Sequence, residues 1–429
     1  MNRHVIITLA ALLTPATAQA QTSPESAWIQ LVPDGSAELR AVVLGQCPTV
    51  TMDSQPERRT MNERAATDVN FPRVCSLAVP AGTKAVHVTM QNGAVASLAA
   101  PVADPQRILV LGDTGCRIKG SYLQACNDPV AWPFATLAKA AADLKPDLVI
   151  HLGDYLYRES PCPGGNVGCA GSPYGDNWAS WNADLFTPAS PLLAAAPWLI
   201  VRGNHEDCSR GGAGFLRLLG PGPFDPQAQC ANHLPPYVIR AGEHVIAVMD
   251  SASASDTSLD GKSVTAYRAD FDALKAITNT GAGHELWLVS HRPIWAAISG
   301  PLGIPIGGNA TMIAAAGDLS TFCAFNLMLS GHIHTFEAIN YESKVPPQIV
   351  AGHGGDNLDP TPANLRGAIF QGHSGVSVKD GLSVGGFGFL LMSHDAGKDG
   401  WTILLYDSAG TQKRQCSFAA RHVDCPAVK

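Results

Sequence analysis

The 429-residue chain is 46% hydrophobic and 15% charged, the balance of a folded protein with a large core rather than of a disordered or fibrous one. Its formal net charge of −7 argues against nucleic acid as a stable partner, but not against a small phosphate ester whose charge is met locally. This length accommodates one large domain and a small one.

The N-terminus reads Met1-Asn2-Arg3-His4, then an apolar run from Val5 to Leu13, then Ala18-Gln19-Ala20. This is the pattern of a secretory signal cut after Ala20. The run is too short to span a bilayer, which takes about 20 apolar residues, and no later stretch is long enough either. The expected product is exported and soluble, periplasmic or secreted. Eleven cysteines fit an oxidising compartment. By proximity they pair as Cys47 with Cys75, Cys116 with Cys126, Cys162 with Cys169, Cys208 with Cys230 and Cys416 with Cys425. Cys323 is left over as a buried free thiol.

Residues 21–104 lack helix-strand alternation and read as a small β-rich domain ending in the linker Ala99 to Pro105. Within it, Ala37 to Leu44 and Ala85 to Met90 are strands, while the polar stretch Met52 to Asn70 reads as a loop. Residues 105–429 carry an α/β pattern. Pro133 to Leu144 and Tyr267 to Thr278 are helix candidates, the second with Phe271, Leu274 and Ile277 on one face. His244 to Asp250 is a buried strand ending in Asp250-Ser251. Three long loops intervene, Arg158 to Pro197, Cys208 to Pro236 and Ile294 to Asp318, and the glycine-rich 211–214 lies in the second. Closing strands are expected at Pro347 to Ala351, Gly388 to Met392 and Trp401 to Tyr406.

The chain is organised around Leu148-Val149-Ile150-His151-Leu152, an apolar strand that runs into Gly153-Asp154-Tyr155-Leu156-Tyr157. A strand ending in Gly-Asp is by itself an ordinary turn signal. Here the grammar recurs. Ile108 to Leu111 runs into Gly112-Asp113, Trp198 to Val201 into Gly203-Asn204-His205-Glu206, Leu286 to Val289 into Ser290-His291-Arg292, and Phe325 to Leu329 into Gly331-His332-Ile333-His334. Five such ends on one edge would gather carboxylates, a phenol, an amide and imidazoles, a donor set suited to two metal ions.

In that order, GD, GDxxY, GNHE, a strand-end histidine and GHxH resemble the calcineurin-like metallophosphoesterases, and the tyrosine resembles the purple acid phosphatase branch. The resemblance covers Arg107 to the C-terminal strands. One departure is Leu288, where the family usually has valine. The implied fold is a metallophosphoesterase-type β-sheet sandwich flanked by helices, preceded here by the small β-rich domain. The family's assignments imply iron(III) held by Asp113, Asp154, Tyr157 and His334. Asp154 would bridge to a divalent ion (zinc, manganese or iron) completed by Asn204, His291 and His332. His205 would lie outside the ligands as a proton donor to the leaving group, or steady the phosphate. Tyr155 competes with Tyr157 for the phenolate role, and the GDxxY spacing favours Tyr157. His332 and His334 serve both ions only if the turn splays them, which Gly331 permits.

The chemistry suits these residue types. Two cations neutralise phosphate oxygens that would repel an incoming anion, and one of them turns water into hydroxide at mild pH. Two carboxylates and a phenolate suit a ferric ion, and the imidazole-rich half suits a softer one. His151, His244 and His284 read as ordinary strand or loop histidines, and His353 is open to either role. Trp178, Trp181 and Trp295 read as loop anchors. Arg292 either touches phosphate or plays a structural part. The leading function is an exported phosphomonoesterase acting on small-molecule esters. The alternative is a phosphodiesterase or nucleotide pyrophosphatase on the same scaffold. A metal-retaining binding protein is a third class, against which His205 argues.

Overall fold

A computed structural model describes residues 25–91, 93–280, 285–371, 375–394 and 400–426. The expected signal at 1–20 and His284 lie outside these residues. The architecture is mixed α/β and rich in sheet, with two large sheets facing one another. The first has eleven strands, and at its centre Arg107–Leu111, Leu148–His151 and Trp198–Ile200 run parallel. The second has seven, with His244–Met249, Glu285–Ser290, Leu327–Ser330 and Gln348–Ala351 parallel.

The side-chain alternation of these strands explains the layering. Ile108 and Val110 face the second sheet, and with Ile150, Leu199, Ile246, Val248, Trp287 and Leu329 they form the core between the sheets. Leu109 and Leu111 face the other way, onto Phe134, Leu137, Ala138 and Ala141 of the helix Phe134–Asp143. Their i, i+3, i+4, i+7 spacing gives that helix one buried stripe. On the outer face of the second sheet, Val245, Ala247 and Leu288 pack on Tyr267, Phe271 and Leu274 of the helix Gly261–Thr280. The Asp260 carboxylate accepts the Ser263 amide at 2.9 Å and so starts that helix. Strands covered on both faces are apolar without a break, which is why these ones were visible as runs. Replacing Phe134 by alanine would destabilise this layering by about 3–5 kcal/mol.

The N-terminal segment is all β. Its strands Ser26–Leu31, Ala37–Val43, Arg73–Val79 and Asn62–Ala65 continue the eleven-stranded sheet, with Gln30 opposite Trp198. The other four, Gln55–Thr60, Thr49–Met52, Ala85–Thr89 and Val95–Ala99, form a sheet of their own. Two of these strands, Gln55–Thr60 and Asn62–Ala65, occupy the stretch expected to be a loop. Each is the edge strand of its sheet, where charged side chains are ordinary and an apolar run is not required.

The long loops carry structure. The first holds the helices Trp178–Trp181 and Ser190–Ala195, and the second holds Gly212–Leu218, so the glycine-rich piece expected to be a loop opens a helix. Packing overrides propensity there, since a Cβ on Gly214 would stand 2.2 Å from the Trp181 indole nitrogen. In the third, Ala297–Ser299 and Pro305–Gly307 make a hairpin that Ile369–Phe370 joins. All five proximity pairs are disulfides. Cys323 is free, but half-buried rather than buried. Among the described residues no helix is long and apolar enough to cross a membrane.

Candidate metal centre

The five ligand-bearing strand ends converge from two sheets rather than along one edge. Asp113, Asp154 and Asn204 come from the first sheet, and His291, His332 and His334 from the second. Asp113, Asp154 and His332 all adopt positive φ, at 58°, 59° and 70°. Such a backbone costs a non-glycine residue about 1–2 kcal/mol and persists only where its surroundings fix it. Here the amides do so. Asp113 N–H donates to the Gly153 carbonyl at 3.0 Å, Asp154 N–H to Glu206 Oε2 at 3.0 Å, and His332 N–H to Asp113 Oδ2 at 2.9 Å. The left-handed backbone of this turn lies at His332 itself. Gly331 instead makes room, because a Cβ there would lie 2.5 Å from Asp113 Oδ2.

The Tyr157 hydroxyl is the meeting point of one group of donors. It lies 3.1 Å from Asp113 Oδ1, 2.8 Å from Asp154 Oδ2 and 3.2 Å from His334 Nε2. His334 Nδ1 lies 2.6 Å from the Asn357 carbonyl, which can only accept, so Nδ1 carries the proton and Nε2 presents a lone pair. One phenolic proton therefore faces three acceptors, all buried. A cation satisfies that excess of lone pairs, so the residues fit a metal. The same carboxylates favour a proton at that nitrogen: against burial, the hydrogen bond to Asp113 and the charge of Asp356 push the His334 imidazole up to about 10, so a proton competes with a cation for Nε2. Burial together with the Asp154 and Asp113 charges pushes the Tyr157 phenol upward as well.

The second group adjoins the first. His291 Nδ1 donates to the Leu152 carbonyl at 2.8 Å, which turns Nε2 toward Asn204 Oδ1 at 3.1 Å and Asp154 Oδ2 at 3.2 Å. Burial disfavours its charged form, yet Asp154 and Asp113 push the ring up to about 9. His332 meets His291 edge to face with centroids 5.2 Å apart. One ligand atom each from Asp154, His291 and His332 lie within 4.8 Å of one another. Asp154 belongs to both groups.

His205 sits in the short turn Asn204–Glu206, its amide donating to Asp154 Oδ1 at 2.8 Å. Its ring lies against Tyr157 with centroids 3.8 Å apart, and its Nε2 is 3.9 Å from Asp154 Oδ2. Glu206 points away from the donors. Its carboxylate accepts the amides of Asp154, Tyr155, Leu156 and Gly203, which ties two ligand loops together. Tyr155 is occupied elsewhere, donating to the Val201 carbonyl at 2.9 Å and stacked on His151.

The remaining candidates have structural surroundings. His151 pairs with Thr114, His353 is buried near Phe336, and Trp178, Trp181 and Trp295 are buried. Arg292 is ion-paired with Asp256. Asp250 pairs with Arg202 at 3.2 Å, and Arg202 in turn holds the Glu206 carbonyl at 2.8 Å.

Three groups escaped the sequence reading. Glu159, two residues past Tyr157, places Oε1 2.6 Å from His205 Nδ1 and also pairs with Lys119 at 2.8 Å. Burial opposes its charge, but the contact with His205 holds it down to about 2. Asp256 Oδ2 lies 3.0 Å from His332 Nε2. Arg117, paired with the fully buried Asp356, stands 4.8 Å over the Tyr157 ring. Only Glu159 had a sequence signal, its closeness to GDxxY. The loops bearing several of these groups are pinned by the disulfides Cys116–Cys126, Cys162–Cys169 and Cys208–Cys230. A cleft of about 470 Å³ opens over Asp154, Tyr157, Asn204, His205, His332 and His334.

Known proteins share the family pattern and the fold of this chain. The family model for calcineurin-like phosphoesterases matches residues 106–336. No curated protein sequence matches. Among solved structures, the chain is similar to the purple acid phosphatase PPD1 isolated from yellow lupin (Lupinus luteus) seeds, with a TM-score of 0.58 and 12% identity over 94% of this chain and 77% of that one. It is equally similar to PhoD, with a TM-score of 0.58 and 12% identity over 94% of this chain and 92% of that one. At such identities the likeness is one of fold.

Proposed function

The chain belongs to the calcineurin-like phosphoesterase family and is a metal-dependent phosphoesterase; from that premise we propose that it is an exported phosphomonoesterase with an iron(III)–divalent centre. The observation that carries this reading is the Tyr157 hydroxyl facing Asp113, Asp154 and His334 together. In it, Asp113, Asp154, Tyr157 and His334 would hold the ferric ion, and Asn204, His291 and His332, with Asp154, would hold the divalent one. Zinc, manganese and iron(II) all suit the second set. When bound, the ions neutralise phosphate oxygens and lower the pKa of water, supplying the nucleophile.

The chain's own residues do the rest. His205 keeps a proton at Nε2, on the face of the ring turned to the cleft, while Glu159 holds Nδ1. As the bond from phosphorus to the leaving oxygen breaks, that proton passes to the oxygen and an alcohol departs. Arg117 over the Tyr157 ring and Asp356 beside His334 keep two ligands in place. Export is supported by the Ala18-Gln19-Ala20 leader pattern and by five disulfides, which persist in oxidising compartments.

Metal analysis with a visible absorption spectrum, together with turnover of matched mono- and diesters, tests this reading. The expected result is one iron and one divalent ion per chain, colour, and preference for the monoester. Preference for the diester would transfer the function to the phosphodiesterase alternative.

A further inference from the structure

The two walls of the catalytic cleft come from different sheets. Arg117, Lys119, His205 and Arg210 all come from the connections that follow strands of the first sheet. The facing wall comes from the loops of the second sheet, and beside the polar Asp256, Thr257, Asp359 and Gln371 it carries an apolar stretch built from Pro293, Ile298, Ile306, Gly307, Gly308 and Ile333. At its centre is the small three-stranded sheet, in which Ile298 lies opposite Ile306 and Ile306 opposite Ile369. Residues directly opposite share a face. Three isoleucines therefore form one row, two of them half-buried in the cleft and the third 60% exposed at its end.

β-branched residues suit strands, so one exposed isoleucine would need no explanation. A contiguous row is different, because apolar surface left in water beside a polar site marks a place where a ligand removes it from water. The platform is also braced. Glu337 accepts the Ala297 amide at 3.3 Å, Gly308 N–H donates to the Ala296 carbonyl at 3.0 Å, and Ser299 N–H to the Pro360 carbonyl at 2.9 Å. The volume of about 470 Å³ is that of a drug-sized ligand site and exceeds the need of a phosphoryl group.

We propose that the isoleucine row is a subsite for the leaving group, and that the enzyme selects phosphate esters of apolar, ring-bearing alcohols over those of small polar ones. The inference rests on the phosphomonoesterase reading and adds the substrate class. The phosphoryl group sits among Asp154, Asn204 and His205, and the ring lies on Ile298 and Ile306. Burying apolar ring surface there stabilises the complex by roughly 25 cal/mol per Å² removed from water.

The test compares binding of 1-naphthylphosphonate and methylphosphonate to the metal-loaded protein by calorimetry, so that it does not depend on turnover. Wild type is expected to bind the naphthyl compound at least about tenfold more tightly. Ile306→Ser and Ile298→Ser should each lose most of that advantage while holding methylphosphonate within about twofold, since neither residue touches the phosphoryl group. With substrates, the same variants should raise KM for 1-naphthyl phosphate and leave glycerol phosphate unchanged. Equal affinity of wild type for the two phosphonates would overturn the proposal whatever the variants do. An equal loss for both ligands in a folded variant would overturn it too, showing a general packing role. Binding of neither phosphonate would instead remove the phosphomonoesterase reading on which it stands.

Discussion

His205 Nδ1 lies 2.6 Å from Glu159 Oε1, and this contact fixes which face of the imidazole meets the cleft. The carboxylate beside Nδ1 orients the ring, which a positioned proton donor needs. His205→Ala should keep both metals and slow turnover by about 10²–10⁴-fold, the usual worth of a positioned acid. The loss should shrink for esters with good leaving groups, which need little protonation. Metal content and a leaving-group series check this, and an equal loss across the series would mean that His205 steadies phosphate instead.

Asp154 is the residue common to both donor groups, within 2.8 Å of Tyr157 and 3.2 Å of His291. Asp154→Asn should lose bound metal and activity together, because a neutral amide cannot hold two cations. A variant with both metals and near-normal turnover, measured by elemental analysis and assay, would show that Asp154 is not the shared ligand.

Asp256 acts through a neighbour. Its Oδ2 faces His332 Nε2 at 3.0 Å and is also the ion-pair partner of Arg292, which can only donate. Arg292 Nη1 also lies 2.9 Å from His332 Nε2, so Asp256 and Arg292 together hold that edge of the ring and fix its orientation in the centre. Removing such a support usually weakens metal affinity by about 10–100-fold. Asp256→Ala should therefore weaken the divalent ion by that factor while leaving the ferric ion in place. Titration with a competing chelator, read against iron content, separates this from a general loss of fold. Unchanged divalent affinity would leave Asp256 with a purely structural part.

What the sequence made legible, and what it did not, follows from chemistry. Asp113, Asp154, Asn204, His291, His332 and His334 all follow apolar strands, and a buried strand ending in a polar turn is visible one residue at a time. Asp256 lies in Ser251-Ala252-Ser253-Ala254-Ser255-Asp256, an alternation of small residues with no apolar run directly before the carboxylate, and it reaches the site because Arg292 and Asn309 hold its loop. The strands Gln55–Thr60 and Asn62–Ala65 were hidden for a related reason. As edges they bury little, so nothing in their composition separates them from a loop. That the strand ends belong to two sheets was hidden as well, because sheet membership is set by long-range pairing rather than by local pattern.

The Tyr157 prediction concerns colour. A phenolate on iron(III) gives a visible charge-transfer band, and one on zinc or manganese(II) does not. The loaded protein should be pink to violet, and Tyr157→Phe should bleach it. Tyr155→Phe should keep the band, since the Tyr155 hydroxyl bonds the Val201 carbonyl and not the donor groups. A colourless, fully active protein containing only divalent metals would overturn the ferric assignment and leave the family membership untouched.

The last prediction concerns pH and the platform of the isoleucine row. Glu337 is fully buried, accepts the Ala297 amide on Oε2, and accepts the Ser383 hydroxyl on Oε1. Burial pushes its carboxyl from the ordinary 4.5 up to about 8, against the pull of those two donors and with a small push from Asp359. A carboxyl whose folded pKa is raised binds its proton more tightly when folded than when unfolded. Its contribution to stability is therefore full below about pH 4.5 and is lost as pH rises toward about 8. At about 1.4 kcal/mol per pH unit, that interval amounts to several kcal/mol. Glu337→Gln mimics the protonated form. Its amide oxygen can accept the Ala297 N–H, while its NH₂ donates to the Ser383 hydroxyl, which accepts as readily as it donates. Thermal unfolding should give the variant a higher Tm than wild type at pH 8 and nearly the same Tm at pH 5. A Tm difference that is the same at both pH values would show that Glu337 does not change protonation on folding in this range.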